Sequence, residues 1–395
     1  MPFRISNRVA QIKPSATITV NARAIELRAQ GHDIISLGFG EPDFDTPGHI
    51  KQAASDAILA GETKYTPVEG TLRLREAIVN KFRAENQLEY TTSQIIVSSG
   101  AKQSLFNLLT SLLNIDDEVI VPAPYWVSYP DMIKLAEGQP VILNATAETD
   151  YKITPNQLAG SLNYRSRLLI INSPSNPTGK VYSADEYRAL AEVLVEFPKV
   201  MIAVDDIYEH IYWGEEPICT LLNACPELAP RTVIINGVSK AYAMTGWRIG
   251  YAAGPEALIT AMRKVQGQVT SGASSISQAA AAAALEGPQD CVADMCAEYK
   301  RRYEYLVDAL NQIDGVECAT CDGAFYLFPS FKKVIAAMPD IRDDVELAAW
   351  MLEHAGVAMV PGTAFGAPGH LRLSFATSME NLQSCVSRIK DALKS

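Results

Sequence analysis

The sequence predicts an α/β fold: a mostly parallel seven-stranded sheet sandwiched by helices, with a smaller α+β domain beside it. Three observations carry this expectation. Seven short runs rich in Val and Ile recur through the middle of the chain. Most are apolar on both faces, which suits a sheet covered on both sides. Helical patterns lie between several of them, which is the alternation of an α/β domain. The 395 residues, 48% of them hydrophobic, suffice for one large core and a smaller companion.

The seven runs are Ile95–Val97, Val119–Val121, Val141–Leu143, Leu168–Ile171, Val200–Val204, Val233–Ile235 and Ile249–Ala252. A helix is expected over Gln103–Leu113. Another starts at Ser183, where Ser-Ala-Asp-Glu forms a capping box with Glu186. Residues 61–66 and 85–92 are polar breaks. The six alanines Ala279–Ala284 read as a tightly packed buried helix, because alanine is the best helix former and permits close approach. The last hundred residues differ in pattern. They suggest a long helix over Tyr299–Ile313, short strands at Ala324–Leu327, Val357–Val360 and Leu371–Ala376, and a terminal helix. The first 45 residues precede the alternating region and are rich in turn signals, so they are expected to join this part. The division is then residues 46–295 for the large domain, and 1–45 with 296–395 for the small one.

The net charge of −11 and a pI near 5.1 offer no electrostatic footprint for nucleic acid or an anionic membrane. The first residues carry no apolar secretory core, and no run of about 18 apolar residues occurs anywhere, so a cytoplasmic enzyme is expected. Seven scattered cysteines, an odd number, fit a reducing compartment. Cys318 and Cys321 form an isolated C-x-x-C. With no second pair or histidine cluster nearby, no metal site is expected there.

In such a sheet, ligand chemistry gathers at the carboxyl ends of the strands. Chemically suggestive residues fall there. Lys240 follows the run Val233–Ile235 and is flanked by small and apolar residues; desolvation lowers a lysine's pKa and makes it nucleophilic. Arg248, eight residues on, can return to pair with a phosphate. Ser99-Gly-Ala-Lys-Gln103 follows a strand and opens a helix, which makes an anion site of free amides. Asn172-Ser-Pro-Ser-Asn-Pro-Thr-Gly179 is a rigid loop after another strand. Asp205 and Asp206 end a buried strand, where a carboxylate needs a partner; Asp206 reads as solvated or capping. Tyr125-Trp126 offers a ring for stacking. Arg372 lies in Leu-Arg-Leu-Ser-Phe. A strand arginine usually faces solvent, yet its guanidinium can also clamp a carboxylate. Gly38-Phe-Gly40 is not a dinucleotide fingerprint, because the third glycine is missing and the turn runs into Pro42.

The segment Gly237-Val-Ser-Lys-Ala-Tyr-Ala-Met-Thr-Gly-Trp-Arg-Ile-Gly250 resembles the cofactor-attachment signature of the class I/II aminotransferases of fold type I. The resemblance runs from Lys13-Pro-Ser-Ala-Thr17 to Arg372, and looks closest to the bacterial subgroup Iβ aspartate aminotransferases. It implies pyridoxal 5′-phosphate held covalently by Lys240. It implies phosphate contacts from Gly100, Ala101, Ser239 and Arg248, with Tyr65 reaching the phosphate of the neighbouring subunit of a homodimer with shared sites. Asp205 would face the ring nitrogen, Asn176 and Tyr208 the ring hydroxyl oxygen, and Trp126 the ring face. Arg372 would clamp the substrate α-carboxylate beside Gly40, with Trp126 and Asn176 also lining the substrate. Lys102 would meet a distal carboxylate. The implied reaction is ping-pong transamination between aspartate or glutamate and a 2-oxo acid (2-oxoglutarate or oxaloacetate), with Lys240 as base.

Alternatives on the same resemblance are prephenate, aromatic or alanine specificity, with Lys13, Ser15 and Thr17 near the substrate, and a β-lyase. A cofactor-binding regulator is disfavoured, since no basic helix-turn-helix segment is appended. One departure stands out. Some relatives have a serine three positions before the lysine; here it is Gly237.

Overall fold

The computed structural model describes residues 3–14 and 16–394. Its centre is a seven-stranded sheet of β1 (Ile95–Ser98), β2 (Glu118–Ala123), β3 (Gln139–Asn144), β4 (Ser166–Asn172), β5 (Met201–Asp205), β6 (Thr232–Gly237) and β7 (Gly250–Ala253). The spatial order is β1-β7-β6-β5-β4-β2-β3. All pairs are parallel except those of β7, which runs antiparallel to both β6 and β1. All seven expected strands are present.

Alternation along each strand feeds two different cores, as a pleated sheet buried on both faces requires. Ile95, Val97, Ile120, Leu169, Ile171, Ile202, Val204 and Ile234 pack into one core, with Leu74, Ile78, Leu190 and Leu194 from covering helices. Ile96, Val119, Val121, Leu168, Ile170, Ala203, Val233 and Ile235 pack into the other. That second core is covered by Leu105 and Leu108 of α1 (Ala101–Leu112) and by Ile259 and Met262 of α2 (Glu256–Val269). The alanine run lies in α3 (Ser275–Glu286), and Ala280, Ala281, Ala282 and Ala284 are buried against the first core. The helix Ala184–Val195 starts from the expected capping box of Ser183 and Glu186.

A third core is built from α4 (Asp290–Asn311), the strands Tyr326–Leu327 and Leu371–Ser374, and the helices Asp344–His354 and Met379–Ala392. Ile35–Ser36, from the first 45 residues, pairs in parallel with Val357–Ala358. Helix α4 starts nine residues before the expected Tyr299, and its buried stripe runs back from Tyr299 through Met295 to Val292. No helix among the described residues is long and apolar enough to cross a membrane.

Beneath the ends of β5 and β6 lies a buried ionic cluster. Lys81 donates to Glu209 and to Asn86 (2.7 Å), while Asn86 and Asn236 also donate to Glu209 at 2.9 and 2.5 Å. Burial alone would raise the Glu209 pKa. The charges of Lys81 and His210, with the hydrogen bonds from Lys81 and Asn86, outweigh it and hold the group at about 2. Glu85, Glu209 and His210 offer ligand atoms within 4.8 Å of one another, but Lys81 already supplies the cation there. This carboxylate's contribution to stability is therefore fully present above about pH 4.5 and lost as pH falls through 2. Lys81→Met should leave the charge buried and unpaired, and cost about 3–5 kcal/mol. Urea unfolding at pH 7 checks this; an unchanged midpoint would remove the cluster from the structural role assigned here.

Candidate functional site

Between β1 and α1 the chain turns through Ser99 and Gly100. Gly100 sits at the helix N-cap with φ 91, and no side chain caps the helix. A Cβ on Gly100 would lie 2.3 Å from Arg248 Nη2. Arg248, itself left-handed at φ 58, is pinned by a 2.9 Å bond from Nη1 to the Thr245 carbonyl. A Cβ on Gly250 would lie 2.1 Å from the Ala101 amide nitrogen. Two backbone segments, the Gly100–Ala101 turn and the start of β7, thus meet with no side chain between them, and the Arg248 guanidinium lies against the turn. Free amides, the positive end of α1 and a guanidinium face one point, which is an anion cradle. Ser239 is buried at the end of β6, one residue before Lys240.

Asp205 is the last residue of β5. Its Oδ2 accepts from Tyr129 Oη at 2.6 Å, and its backbone carbonyl accepts from Asn172 Nδ2 at 2.7 Å. The β4–β5 register sets Asn172 directly beside it. Its Oδ1 is buried and unpartnered. Burial raises the carboxyl to about 6, against the Tyr129 bond, the Ile207 amide and the Lys240 charge, which lower it. Asp206 corrects an expectation. It is buried rather than solvated, and burial with the Glu209 charge pushes its pKa well up.

Lys240 keeps some exposure at the mouth of the site, but its ammonium is packed by protein and donates to the Gly40 carbonyl. It lies over the Tyr208 ring at 5.9 Å and the Phe325 ring at 5.8 Å. Burial lowers its pKa to about 8; Arg372 and Arg248 push the same way, while Glu41 and Asp205 oppose. Tyr208 is buried, and its hydroxyl bonds that of Tyr326 at 2.8 Å.

Arg372 is also a correction to the default for a strand arginine: all four residues of Leu371–Ser374 are buried. Its Nη1 donates to Asn176 Oδ1 at 3.0 Å and Nη2 to the Gly38 carbonyl at 2.8 Å. The rings of Tyr326 and Phe365 lie 4.5 and 5.0 Å from the guanidinium. Nε is buried without a partner. Because an arginine can only donate, Asn176 must turn its oxygen to it and its amide nitrogen away, free to donate. A Cβ on Gly40 would lie 2.7 Å from Tyr326 Oη, so only glycine keeps that approach open.

At the rim, Lys102 Nζ lies 4.8 Å from the centroid of Trp126, whose ring is edge-on to Tyr129. Partial burial and the Arg248 charge lower the Lys102 pKa. Tyr65 is fully exposed. Thr17 carries a buried, unpartnered hydroxyl, Lys13 is exposed, and Ser15 lies outside the described residues. Tyr129, Asn172 and Tyr326 escaped the sequence reading as site residues. Only Asn172 carries a signal: it ends one apolar run as Asp205 ends the next.

Residues 32–389 match the family model for aminotransferase class I and II. The chain is 51% identical to the aspartate/prephenate aminotransferase of Nitrosomonas europaea, covering 99% of this chain and 100% of that one. It is 48% identical to the aspartate aminotransferase of Geobacillus stearothermophilus, with 98% of each covered. The crystal structure of the aspartate aminotransferase from Rhizobium meliloti superposes with a TM-score of 0.96 at 46% identity over 99% of both chains. That of Thermus thermophilus with maleate superposes at 0.93 and 42% identity, over 99% of this chain and 100% of that one.

The Asp205 shift has a sign that can be measured. Its folded pKa of about 6 exceeds the ordinary 3.8, so its favourable contribution is complete below about pH 4 and is lost as pH rises through 6. Asp205→Asn should therefore make the ligand-free protein more stable than the parent at pH 7.5, but not at pH 4. Thermal unfolding at the two pH values reads this directly. Equal differences at both would mean that the buried carboxylate is not the cause.

Proposed function

The chain belongs to the class I and II aminotransferases, and from that premise we propose that it binds pyridoxal 5′-phosphate and moves amino groups between a dicarboxylic amino acid, aspartate or glutamate, and a 2-oxo acid. One observation carries the reading. Lys240, its ammonium packed by protein and made more acidic, feels the opposed charges of Asp205 and Arg372, and each of these carries a buried atom without a partner, Oδ1 and Nε.

The residues fit this cofactor by charge and shape. The glycine-lined cradle at Gly100 and Ala101, with Arg248, suits a phosphate, and buried Ser239 is assigned to the same group. Asp205 Oδ1 suits a protonated ring nitrogen, which would offset the cost of burying that charge. The free amide of Asn176 and the hydroxyl of Tyr208 suit a ring oxygen, and Trp126 a ring face. When bound, the cofactor supplies an electron sink for the pair left as the substrate Cα–H bond ionises.

The chain's own residues do the rest. Arg372 orients the α-carboxylate beside Gly40. Lys240 Nζ takes the proton from Cα; a pKa of about 8 leaves a usable neutral fraction near pH 7. The same residues run the second half-reaction in reverse with a 2-oxo acid, giving ping-pong kinetics. Lys102 at the rim is assigned to the distal carboxylate. The maleate named with the Thermus thermophilus relative, itself a dicarboxylate, supports that assignment. We assign residues 46–295 to a large cofactor domain and 1–45 with 296–395 to a small one, in line with the separate cores. Exposed Tyr65 is assigned to the phosphate of a second subunit in a homodimer.

A second acceptor, prephenate, is favoured by the Nitrosomonas europaea relative and by the unpartnered Thr17 hydroxyl. Steady-state kinetics with each acceptor separates the two.

Lys240→Ala should abolish the visible absorbance band of the loaded enzyme and lower kcat by more than about 10⁴-fold. Retention of the band, or of turnover, would sink the proposal. Lys102→Ala should raise KM for aspartate by roughly 10–100-fold while changing that for alanine little, because only the dicarboxylate loses a charge-assisted bond. Equal losses on both substrates would remove Lys102 from the specificity role.

A further inference from the structure

Two glutamines, Gln266 on α2 and Gln278 on α3, are wholly buried and belong to no motif. Gln266 uses every hydrogen-bonding position of its amide. Oε1 accepts from Ser98 Oγ at 2.6 Å and Asn107 Nδ2 at 2.9 Å; Nε2 donates to the carbonyls of Val68 at 2.6 Å and Val97 at 2.8 Å. Gln278 Nε2 donates to Thr66 Oγ1 at 3.0 Å and the Ala273 carbonyl at 2.8 Å, and Oε1 accepts from the Thr71 amide at 2.7 Å.

Apart from Asn107 on α1 and Ala273 between α2 and α3, these partners lie on one short loop or on the end of β1 that it packs against. Thr66, Val68 and Thr71 belong to the loop that follows Tyr65; Val97 and Ser98 lead into the Gly100 turn. The Val97 amide donates to the Glu69 carbonyl at 3.0 Å. A Cβ on Gly70 would lie 2.7 Å from Val97 Cβ, and one on Gly272 would lie 2.3 Å from Thr66 Oγ1. The loop is therefore pressed onto β1 and held at both ends, while Tyr65 just before it projects fully into solvent. Leucine would fill the same volume as either glutamine, but would orphan these backbone groups. What the amides add is position.

We propose that Gln278 and Gln266 are positioning residues that aim the Tyr65 loop at the phosphate site of the second subunit, and that Gln266 also ties this loop to the chain's own phosphate turn. The proposal rests on the shared-site homodimer above. It means that Gln278 acts on the other subunit's cofactor, and Gln266 acts on both.

Hybrid dimers test it. One subunit carries Lys240→Ala, so a single lysine-bearing site remains, and cofactor retention there is read by equilibrium dialysis. Tyr65→Phe on the Lys240→Ala subunit checks the shared-site premise alone. It should weaken retention roughly tenfold, the loss of one hydrogen bond to a charged group, and the loss should be confined to that arrangement. If it is silent there, the shared-site reading fails, and this proposal with it. Gln278→Leu should reproduce the same trans-only pattern. Thr66→Val, which removes a single Gln278 contact, should do so more weakly and covers the case in which Gln278→Leu does not fold. Gln266→Leu should weaken retention in both arrangements. If Tyr65→Phe acts in trans but Gln278→Leu and Thr66→Val act equally in both arrangements or in neither, the glutamines are structural only and the proposal is overturned.

Discussion

The Asp205 carboxylate is the group on which the rest of the site depends. It is a charge at the buried end of β5, with one oxygen satisfied by Tyr129 and the other facing no partner. Ionising such a group costs free energy, and the rise to about 6 expresses that cost. Its surroundings limit the cost without removing it. Tyr129 holds the inner oxygen, Asn172 holds the backbone, and the Lys240 charge lowers the pKa from a distance. A fold selected for stability alone would fill this position with an apolar residue. On the function proposed above, a cationic ring would complete it, and the cost is stability of the kind that active sites commonly forgo.

The geometry around that carboxylate follows from one topological choice. Strand β7 runs antiparallel between β6 and β1. The connection carrying Lys240 and Arg248 therefore leaves and re-enters the sheet at the same end. A parallel strand would carry Arg248 to the opposite edge. Close approach then needs missing side chains. Gly237 and Gly250 face each other across β6 and β7, and a Cβ on Gly237 would lie 2.9 Å from the Gly250 Cα. Gly250 in turn lies against the start of α1, and Gly100 against Arg248. With this register a side chain at position 237 would have to push β6 and β7 apart. The anion cradle is thus a product of sheet register more than of any single residue.

Much of this was legible in the sequence, and the rest was hidden for physical reasons. Six of the seven strands were readable because they are buried on both faces, so Val and Ile crowd into short runs; β3, at the sheet edge, is only partly buried. Their ends were not, because the last strand residues are Ser98, Asn172, Asp205 and Gly237, set by backbone pairing rather than by apolarity. Those ends are where the chemistry lies. Lys240 and Arg248 stood out through their place after a strand, and Asn176 through the family resemblance alone. Tyr129 and Tyr326 did not, since a tyrosine looks the same whether its hydroxyl meets water, a carboxylate or another tyrosine. Asp206 was misread for a related reason. Its burial depends on the neighbourhood of Glu209 and Lys81, and Lys81 lies far back in the chain at the end of the helix Leu72–Lys81.

Unsatisfied buried atoms alone do not identify the site. His49, Ser104, Asn107, Ser111, Tyr187 and Tyr299 also carry one. The hydroxyls and the amide among them each cost about 1–3 kcal/mol when left unsatisfied. Among the described residues, Asp205 and Arg372 are the acid and the base in that set that a protein interior tolerates least when unpaired. They have opposite signs, and both act on the acidity of Lys240, in opposite directions. A ligand that satisfies them must present a cation to one and an anion to the other, with a carbon between them within reach of an amine. An amino-acid carboxylate joined to a protonated pyridine ring meets that description. In contrast, Glu209, Gln266 and Gln278 are buried, polar and richly bonded, and they lie one layer behind. Filled valence marks the residues that hold the site in place, and unfilled charge marks the residues that wait for the ligand.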